Sequence, residues 1–505
     1  PEQRQRPLPG ARAESAPPPR GPGCLAALAC IGLLQMLGAT PHGVGAEPFH
    51  FVLINIDDLG YADVGAFGST RNRTPHIDRL AREGRRFTSF YAAPVCSPSR
   101  SSLMTGCYPK RVGIPQVLFP AGGTGLNRAE WTLPEMLRER GYVTLCVGKW
   151  HLGDQPEFLP TRHGFDHYFG IPYSNDMGPE ADGARSNFGE PLPGNAPAAG
   201  RAKKKARATT HPPLPLLRDE TVVERVRGDQ QTTLVERYTR EAEQFLRTNR
   251  DRPFFLYLPH SAVHFPLYPG ADFRGKSANG IYGDWVEEVD ASVGRIVDLI
   301  RALGLADRTL VMFTSDNGGT PRASNAPLRG NKASTWEGGM RVPTIFWWPG
   351  KVPAGTTCDA ITSMMDVLPT LAGLAEGRLP EQKIDGHDIW PLIGGEQERS
   401  LYDVFCYFRG DALEAVRAGD WKLHLKSGML FNLADDVGET SDISLKHPDR
   451  VRELMGAAER IRGDLGDGEA GPGCRAPGRV ERPLPSLDQA GRVRAENRGE
   501  VGEFP

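Results

Sequence analysis

The sequence is short of the features that mark several functional classes. Neither sign of charge predominates: 60 Lys and Arg stand against 62 Asp and Glu, for a net charge of -2. A chain without an excess of basic residues lacks the field that neutralises phosphates, so nucleic acid is excluded as the expected partner. Cysteine is sparse, eight in 505 residues, and no pair has C-x-x-C spacing. A small disulfide-stapled scaffold and a zinc or redox dithiol site are therefore excluded. Long apolar runs are missing too. The run Cys24–Leu37 has 14 residues, fewer than the roughly 20 that cross a bilayer as a helix.

That run comes after Arg4, Arg6, Arg12 and Arg20 and precedes Gly43-Val44-Gly45-Ala46. Basic, apolar and small residues in this order read as a secretory signal peptide over residues 1–46, and hence as export. Leu28-Ala29-Cys30 is a faint match to a lipoprotein cleavage site, with too few apolar residues ahead of it. Residues 466–505, rich in Gly, Pro, Arg and Glu without apolar periodicity, are expected to form a disordered tail. Residues 178–218 are dense in Pro, Gly and Ala and include the basic stretch 201–207, expected to be a solvated surface loop.

What is present is a set of apolar, β-branched runs: Phe51 to Ile56, Tyr142 to Val147, Pro253 to Leu258, Thr309 to Thr314 and Pro343 to Trp348. Helical stretches alternate with them at 75–83, 133–140, 233–247 and 284–303. Such alternation predicts an α/β fold with a mostly parallel sheet buried on both faces. Ligands in these folds sit at the carboxyl ends of the strands. Four of the five runs hand over there to reactive groups: Asp57-Asp58, Gly148-Lys149-Trp150-His151, His260 with His264, and Ser315-Asp316-Asn317-Gly318. Any one of these reads as a turn, and an Asp-Asp or Asp-Asn-Gly pair is more often turn chemistry than a metal site. Their convergence is the stronger observation. Asp57, Asp58, Asp316 and Asn317 offer only hard oxygen donors, which suit Ca²⁺ or Mg²⁺ better than zinc. Lys149, His151 and His264 beside them describe a site for an anionic ester.

Cys96-Ser97-Pro98-Ser99-Arg100 precedes a small-residue helical segment ending Leu103-Met104-Thr105-Gly106. With Pro94-Val95 ahead of it, this block resembles the signature of the formylglycine-dependent sulfatases. Gly141-Tyr142-Val143-Thr144 through Gly148-Lys149-Trp150-His151 resembles their second signature. Asp57-Asp58-Leu59-Gly60, Phe313 through Gly318, and Lys332 before Trp336-Glu337-Gly338-Gly339 are similar to further blocks of that family, in the expected order over residues 48–460. Gly170-Ile171-Pro172-Tyr173-Ser174-Asn175-Asp176 resembles the arylsulfatase A and galactosamine-6-sulfatase branch.

The resemblance implies an alkaline-phosphatase-like sandwich over 47–388 with a small antiparallel α+β subdomain over 389–465. It implies hydrolysis of sulfate monoesters, with Cys96 oxidised to formylglycine by a formylglycine-generating enzyme. It also implies Ca²⁺ held by Asp57, Asp58, Asp316, Asn317 and the modified Cys96. Arg100, Lys149, His151, Ser174, His264 and Lys332 match positions that hold the nucleophile or the sulfate, with His264 as general acid, Asp316 accepting the attacking hydroxyl's proton and His151 accepting the second. The substrate is then a sulfated small molecule or carbohydrate. Two rivals stay open at the level of residues: a phosphodiesterase or phosphonate monoester hydrolase of the same superfamily, and a secreted sulfoglycan-binding protein with unmodified Cys96.

Overall fold

Runs of apolar residues with no polar partner for their side chains must be covered on both faces, and the chain does this with one ten-stranded sheet. The computed structural model describes residues 49–187, 190–191 and 211–499. The strands are β1 His50–Ile56, β2 Arg85–Phe87, β3 Val143–Lys149, β4 His167–Ile171, β5 Leu214–Arg218, β6 Thr221–Val226, β7 Phe254–Pro259, β8 Thr309–Ser315, β9 Thr344–Trp347 and β10 Thr356–Cys358. Their spatial order is β6-β5-β4-β3-β7-β1-β8-β9-β2-β10. The central five, β4-β3-β7-β1-β8, are parallel. Leu53 in β1 stands level with Tyr257 on one side and Met312 on the other.

Side chains of β1 alternate between two cores, as a pleated strand covered on both faces requires. Phe51 and Leu53 enter one; Val52, Ile54 and Ile56 enter the other. The first core is closed by helices α2 Cys96–Thr105, α3 Leu133–Glu139 and α6 Val367–Ala375, and the second by α1 Pro75–Glu83, α4 Leu234–Thr248 and α5 Gly280–Ala302. Helix α3 starts where its sequence says it should. Thr132-Leu133-Pro134-Glu135 is a capping box, with the Glu135 carboxylate accepting the Thr132 backbone N–H at 3.0 Å. A separate antiparallel sheet, β11 Phe405–Arg409, β12 Ala412–Ala418, β13 Trp421–His424 and β14 Leu430–Asn432, carries helix α7 Pro448–Leu465. Tyr407, Val416, Leu423, Leu454 and Ala458 form its core.

Three expectations need correction. β9 runs antiparallel to β8. The segment between them has only the four-residue helix Glu337–Met340, too short to carry the chain back across the sheet for a parallel return. The stretch 178–218 is not all loop, because β5 lies at its end and pairs with β4 and β6; the basic stretch 201–207 lies outside the described residues, as does the signal segment 1–46. The expected disordered tail is instead laid on the main body as far as Gly499. Gly478 and Arg479 pair with Gly125 and Thr124, Arg475 meets Glu130 at 2.8 Å, and Leu487 and Val493 are buried in the first core. Two apolar anchors and a short ladder leave no periodic signature, which is why composition misreads this segment. Among the described residues no helix is long and apolar enough to cross a membrane.

Candidate active site

Parallel strands end together, so the residues next in the chain after β1, β3, β4, β7 and β8 meet along one edge. The Asp57 N–H donates to Ala262 O at 2.9 Å and its carbonyl accepts from Val263 at 2.8 Å, which ties the ends of β1 and β7. The Asp316 N–H donates to Ile56 O at 3.0 Å and locks β8 alongside. Asp58 takes a left-handed turn, φ 63°, that carries its carboxylate back toward the edge. Close approach of β3 to β7 demands glycine at 148: a Cβ there would stand 1.9 Å from Pro259 O. Cys96 is the first residue of α2 and is buried.

Three carboxylates and three cations interlock at this edge. The Lys149 ammonium pairs with Asp57 Oδ2. Arg100 donates from Nε and Nη2 to Asp316 Oδ2 at 3.0 and 2.7 Å, and its Nη2 lies 3.4 Å from Asp57 Oδ2. Lys332 Nζ lies 2.5 Å from Asp58 Oδ1 and 3.4 Å from Cys96 Sγ. Asn317 Nδ2 donates to Asp58 Oδ1 at 2.7 Å. Ser174 Oγ sits 3.3 Å from Lys149 Nζ and 3.3 Å from His264 Nδ1. The His264 Nδ1 proton is directed at Phe265 O, 2.5 Å away, so Nε2 is the nitrogen that faces Asp58 Oδ2 at 3.6 Å. The structure thus gathers Asp57, Asp58, Cys96, Arg100, Lys149, Ser174, His264, Asp316, Asn317 and Lys332 into one cluster.

His151 adjoins this cluster through Lys149. Its Nε2 is 3.0 Å from Leu118 O, and a carbonyl only accepts, so that nitrogen holds the proton. Nδ1 is left buried with no hydrogen-bond partner. Burial, then Lys149 and Arg100, push the imidazole well below its ordinary range, so the ring is neutral and its Nδ1 lone pair is available to take a proton.

Metal-ligating atoms are present in the same place. One donor atom from each of Asp57, Asp58, Cys96 and His264 lies within 4.8 Å of the others. Asp57 Oδ1 and Asn317 Oδ1 are buried without a hydrogen-bond donor, which is the state of an oxygen reserved for a cation. Asp316 is not in the 4.8 Å group; its Oδ2 is engaged by Arg100 and its Oδ1 accepts the Asp58 N–H at 3.3 Å.

Charge and burial oppose each other throughout. Burial would raise Asp57, but Lys149, His264, Arg100 and Lys332 outweigh it and hold this carboxylate ionised. Asp316 moves the other way, because burial and the charge of Asp57 exceed the help from Arg100. Burial disfavours the charged forms of Lys149 and Lys332, and Asp57 and Asp58 more than offset it. The Cys96 thiol is pushed up to about 11 by burial, despite Lys149 and Lys332.

The loop bearing Lys332 is held by Lys422, His424 and Glu439, which no sequence motif singles out. Lys422 Nζ, on β13, donates to Thr335 O at 2.8 Å and meets Glu337 and Glu439 at 2.9 Å each. The Glu337 N–H donates to Glu439 Oε2 at 2.8 Å, and Trp336 packs on His424 with centroids 4.1 Å apart. A lysine inside an antiparallel strand reads as a solvent-facing position, and only the packing of the small sheet on the main one buries it. His260, by contrast, is structural: it is buried, 3.1 Å from Ser292 Oγ, and lowered by burial to about 3.

A family model described as Sulfatase matches residues 50–377. The chain belongs to the sulfatase family. Mouse (Mus musculus) N-acetylgalactosamine-6-sulfatase is 38% identical over 426 residues, covering 80% of this chain and 76% of that protein. Human (Homo sapiens) arylsulfatase A is 40% identical over 396 residues, covering 75% of each. Among solved structures, that of Ps i-CgsB is 32% identical with a TM-score of 0.69, covering 82% of this chain and 93% of that one. This sulfatase is a sulfuric ester hydrolase of the arylsulfatase A and galactosamine-6-sulfatase branch, and the site at the carboxyl edge of its sheet carries the residues matched by sequence.

Proposed function

We propose that this sulfatase hydrolyses sulfate monoesters of carbohydrates with formylglycine made from Cys96 and a bound Ca²⁺. The observation that carries the reading is Cys96 itself. A thiol raised to about 11 is protonated at neutral pH and a poor nucleophile, yet it sits in the middle of cations and carboxylates, 3.4 Å from Lys332 Nζ. That position suits a residue whose working form is oxidised.

Hydrated formylglycine would supply one hydroxyl to attack sulfur and a second whose deprotonation re-forms the aldehyde C=O as the C–O bond to sulfate breaks, which a serine does not offer. Asp57, Asp58, Asp316 and Asn317 with residue 96 would hold Ca²⁺, which would supply positive charge against the sulfate oxygens. The protein's own groups do the rest. Lys149 and Arg100 neutralise the sulfate, Ser174 orients it from between Lys149 and His264, and Lys332 faces the nucleophile and the leaving oxygen. Asp316, a carboxyl that burial and the charge of Asp57 make easier to protonate, accepts the attacking hydroxyl's proton. His264 gives a proton from Nε2 to the departing alkoxide. His151 receives the second proton at Nδ1. A sulfated carbohydrate is favoured as substrate by the name of the relative N-acetylgalactosamine-6-sulfatase, and by the solved complex of Ps i-CgsB with k-i-k-neocarrahexaose, 32% identical with a TM-score of 0.67. Export and an encounter with a formylglycine-generating enzyme during maturation fit the signal-like segment.

Mass spectrometry of the peptide containing Cys96, together with turnover of matched sulfate and phosphate esters, tests the reading. An aldehyde at position 96 and preference for sulfate support it. A thiol at that position in fully active protein, or preference for phosphate, overturns it.

A further inference from the structure

A second polar cavity lies on the same edge of the sheet as the catalytic cluster. Its volume is about 420 Å³, and its lining includes Arg71, Asn72, Asn279, Arg322 and Ser324. That is within the roughly 300–1,000 Å³ of small-ligand clefts. Topology fixes its place. One wall is the continuation of the loop that leaves β1 through Asp57 and Asp58, and ends where α1 starts. Another is the N-terminus of α5, which runs back antiparallel to β8 and so begins where β8 ends. The third is the loop 318–332, which leaves β8 after Asn317 and delivers Lys332 to the catalytic cluster.

These walls are fastened to one another. The Ala62 N–H donates to Ser324 O at 2.8 Å and the Ser324 N–H to Asp63 Oδ1 at 3.0 Å. Asn279 Nδ2 donates to Asn72 Oδ1 at 2.7 Å, and Asn72 Nδ2 to Asp63 O at 2.9 Å. Gly319 closes the loop by donating to Asn325 Oδ1 at 2.9 Å and accepting the Lys332 N–H at 3.1 Å. The cavity is therefore a rigid neighbour of Lys332 and Asp58.

Its charge is positive. Arg71 and Arg322 are exposed, and the charge of Arg71 also acts on the Asp63 carboxylate. The Arg322 guanidinium is poised 5.4 Å over the ring of Phe265, the residue after His264. The only carboxylate in the lining, Asp63, is turned inward, accepting from Gly60 N at 2.8 Å, Tyr282 OH at 2.5 Å and Ser324 N. Exposed arginines at a fixed concave wall offer forked donors suited to a tetrahedral oxyanion.

We infer that this cavity is a subsite for a second sulfate group, carried on a neighbouring sugar of a multiply sulfated oligosaccharide, with Arg71 and Arg322 as its donors. The inference rests on the proposed sulfated-carbohydrate specificity and adds where the rest of the substrate goes. Arg322 beside Phe265 places the subsite on the His264 side, where the leaving alcohol departs.

Binding of a fluorescently labelled, multiply sulfated galactan hexasaccharide to the full-length enzyme tests it, alongside turnover of the hexasaccharide and of nitrophenyl sulfate. In Arg71→Ala/Arg322→Ala the Kd for the hexasaccharide rises by about tenfold or more, because two charge-assisted contacts are lost. The ratio of kcat/KM for hexasaccharide to that for nitrophenyl sulfate falls by a similar factor, and binding becomes less sensitive to salt. Arg71→Lys/Arg322→Lys, which keeps the charge, recovers part of the loss. An unchanged Kd and ratio in the alanine variant, or no binding by the wild type, overturns the subsite. Failure of the broader reading shows up separately, as absent nitrophenyl sulfate turnover in protein whose Cys96 is converted, and leaves the binding titration to judge the subsite by itself.

Discussion

Replacing Lys422 with methionine should weaken both the fold and the site, and the structure sets the size of each effect. Methionine fills nearly the same space, so the loss is the charge and its donors. Three contacts go: Thr335 O at 2.8 Å, Glu337 Oε1 at 2.9 Å and Glu439 Oε1 at 2.9 Å. Removing one partner of a buried ion pair costs about 3–5 kcal/mol, because the other charge stays behind unpaired. Here the abandoned carboxylates keep some company. Glu337 retains Arg341 at 3.4 Å and the Tyr407 hydroxyl at 2.9 Å, and Glu439 retains His424 at 2.8 Å. The lower end, about 3 kcal/mol, is therefore expected, seen as a drop of several degrees in the thermal midpoint. Thr335 lies three residues from Lys332, so loss of its donor also loosens that side chain, and misplacement by about 1 Å costs up to 100-fold in turnover. Differential scanning calorimetry of Lys422→Met and Lys422→Met/Glu439→Gln, with nitrophenyl sulfate kinetics, checks both. The double variant should recover part of the stability, since it no longer buries an extra negative charge. A loss below about 1 kcal/mol in the single variant, or simple additivity in the double, would refute the account of this cluster as a coupled buried network.

The same geometry sets three further outcomes. His264→Ala should slow alkyl sulfates, whose leaving alkoxides need a proton, by about 10²–10⁴-fold more than activated aryl sulfates; equal slowing of both substrates removes His264 from the general-acid role. Glu288, buried and pushed up to about 8, binds a proton on folding because its pKa lies above the unfolded value of 4.5; its stability contribution is complete below that value and is lost as pH rises through 8. Glu288→Gln, which can still accept the Gly270 N–H, should therefore melt above the wild type at pH 8.5, by up to a few kcal/mol in stability, and show no such advantage at pH 4; a pH-independent difference in melting temperature contradicts this. Ending the chain after Leu465 removes Leu487 and Val493 from the core, where each buried side chain contributes roughly 1.5–3 kcal/mol, so the truncated enzyme should melt lower, and an unchanged midpoint would show that the C-terminal segment does not hold the fold.

The catalytic edge was legible because parallel strands announce themselves. Runs such as Phe51 to Ile56 and Thr309 to Thr314 are apolar throughout, and the residues just past each run must surface at one edge, so Asp57, Asp58, Asp316 and Asn317 could be grouped before their contacts were known. Strand direction at the periphery was not legible. Pro343 to Trp348 looks like its parallel neighbours, and it turns antiparallel only because the connection from Asn317 never builds a crossover helix. The β5–β6 hairpin hides behind a proline-rich approach, and the segment 466–499 is fixed by a ladder of two residues and a few arginines whose partners, Glu130 among them, are hundreds of positions away. Lys422 shows the limit most clearly. Its neighbours Trp421 and Leu423 give an ordinary strand alternation, and nothing local tells that its ammonium is buried against Glu337, from a short helix 85 positions earlier in the chain.

Charge at the site explains why so many ionic groups are packed where water is scarce. Asp57, Asp58 and Asp316 carry three negative charges and Arg100, Lys149 and Lys332 three positive ones, so the protein's own groups sum to zero. A neutral ionic cluster can be buried, since each charge has an opposite neighbour within a few ångströms. The same cluster has no net attraction for a sulfate ester. A divalent cation on the unpartnered oxygens of Asp57 and Asn317 would shift the sum to plus two and release the lysines from their carboxylates toward the anion. The carboxylates that offset the cations are thus the same ones that would hold the metal. Asp58 meets both Lys332 and Asn317, and Lys149 lies between Asp57 and Ser174, so Lys149 would keep a second partner if a cation drew its carboxylate away.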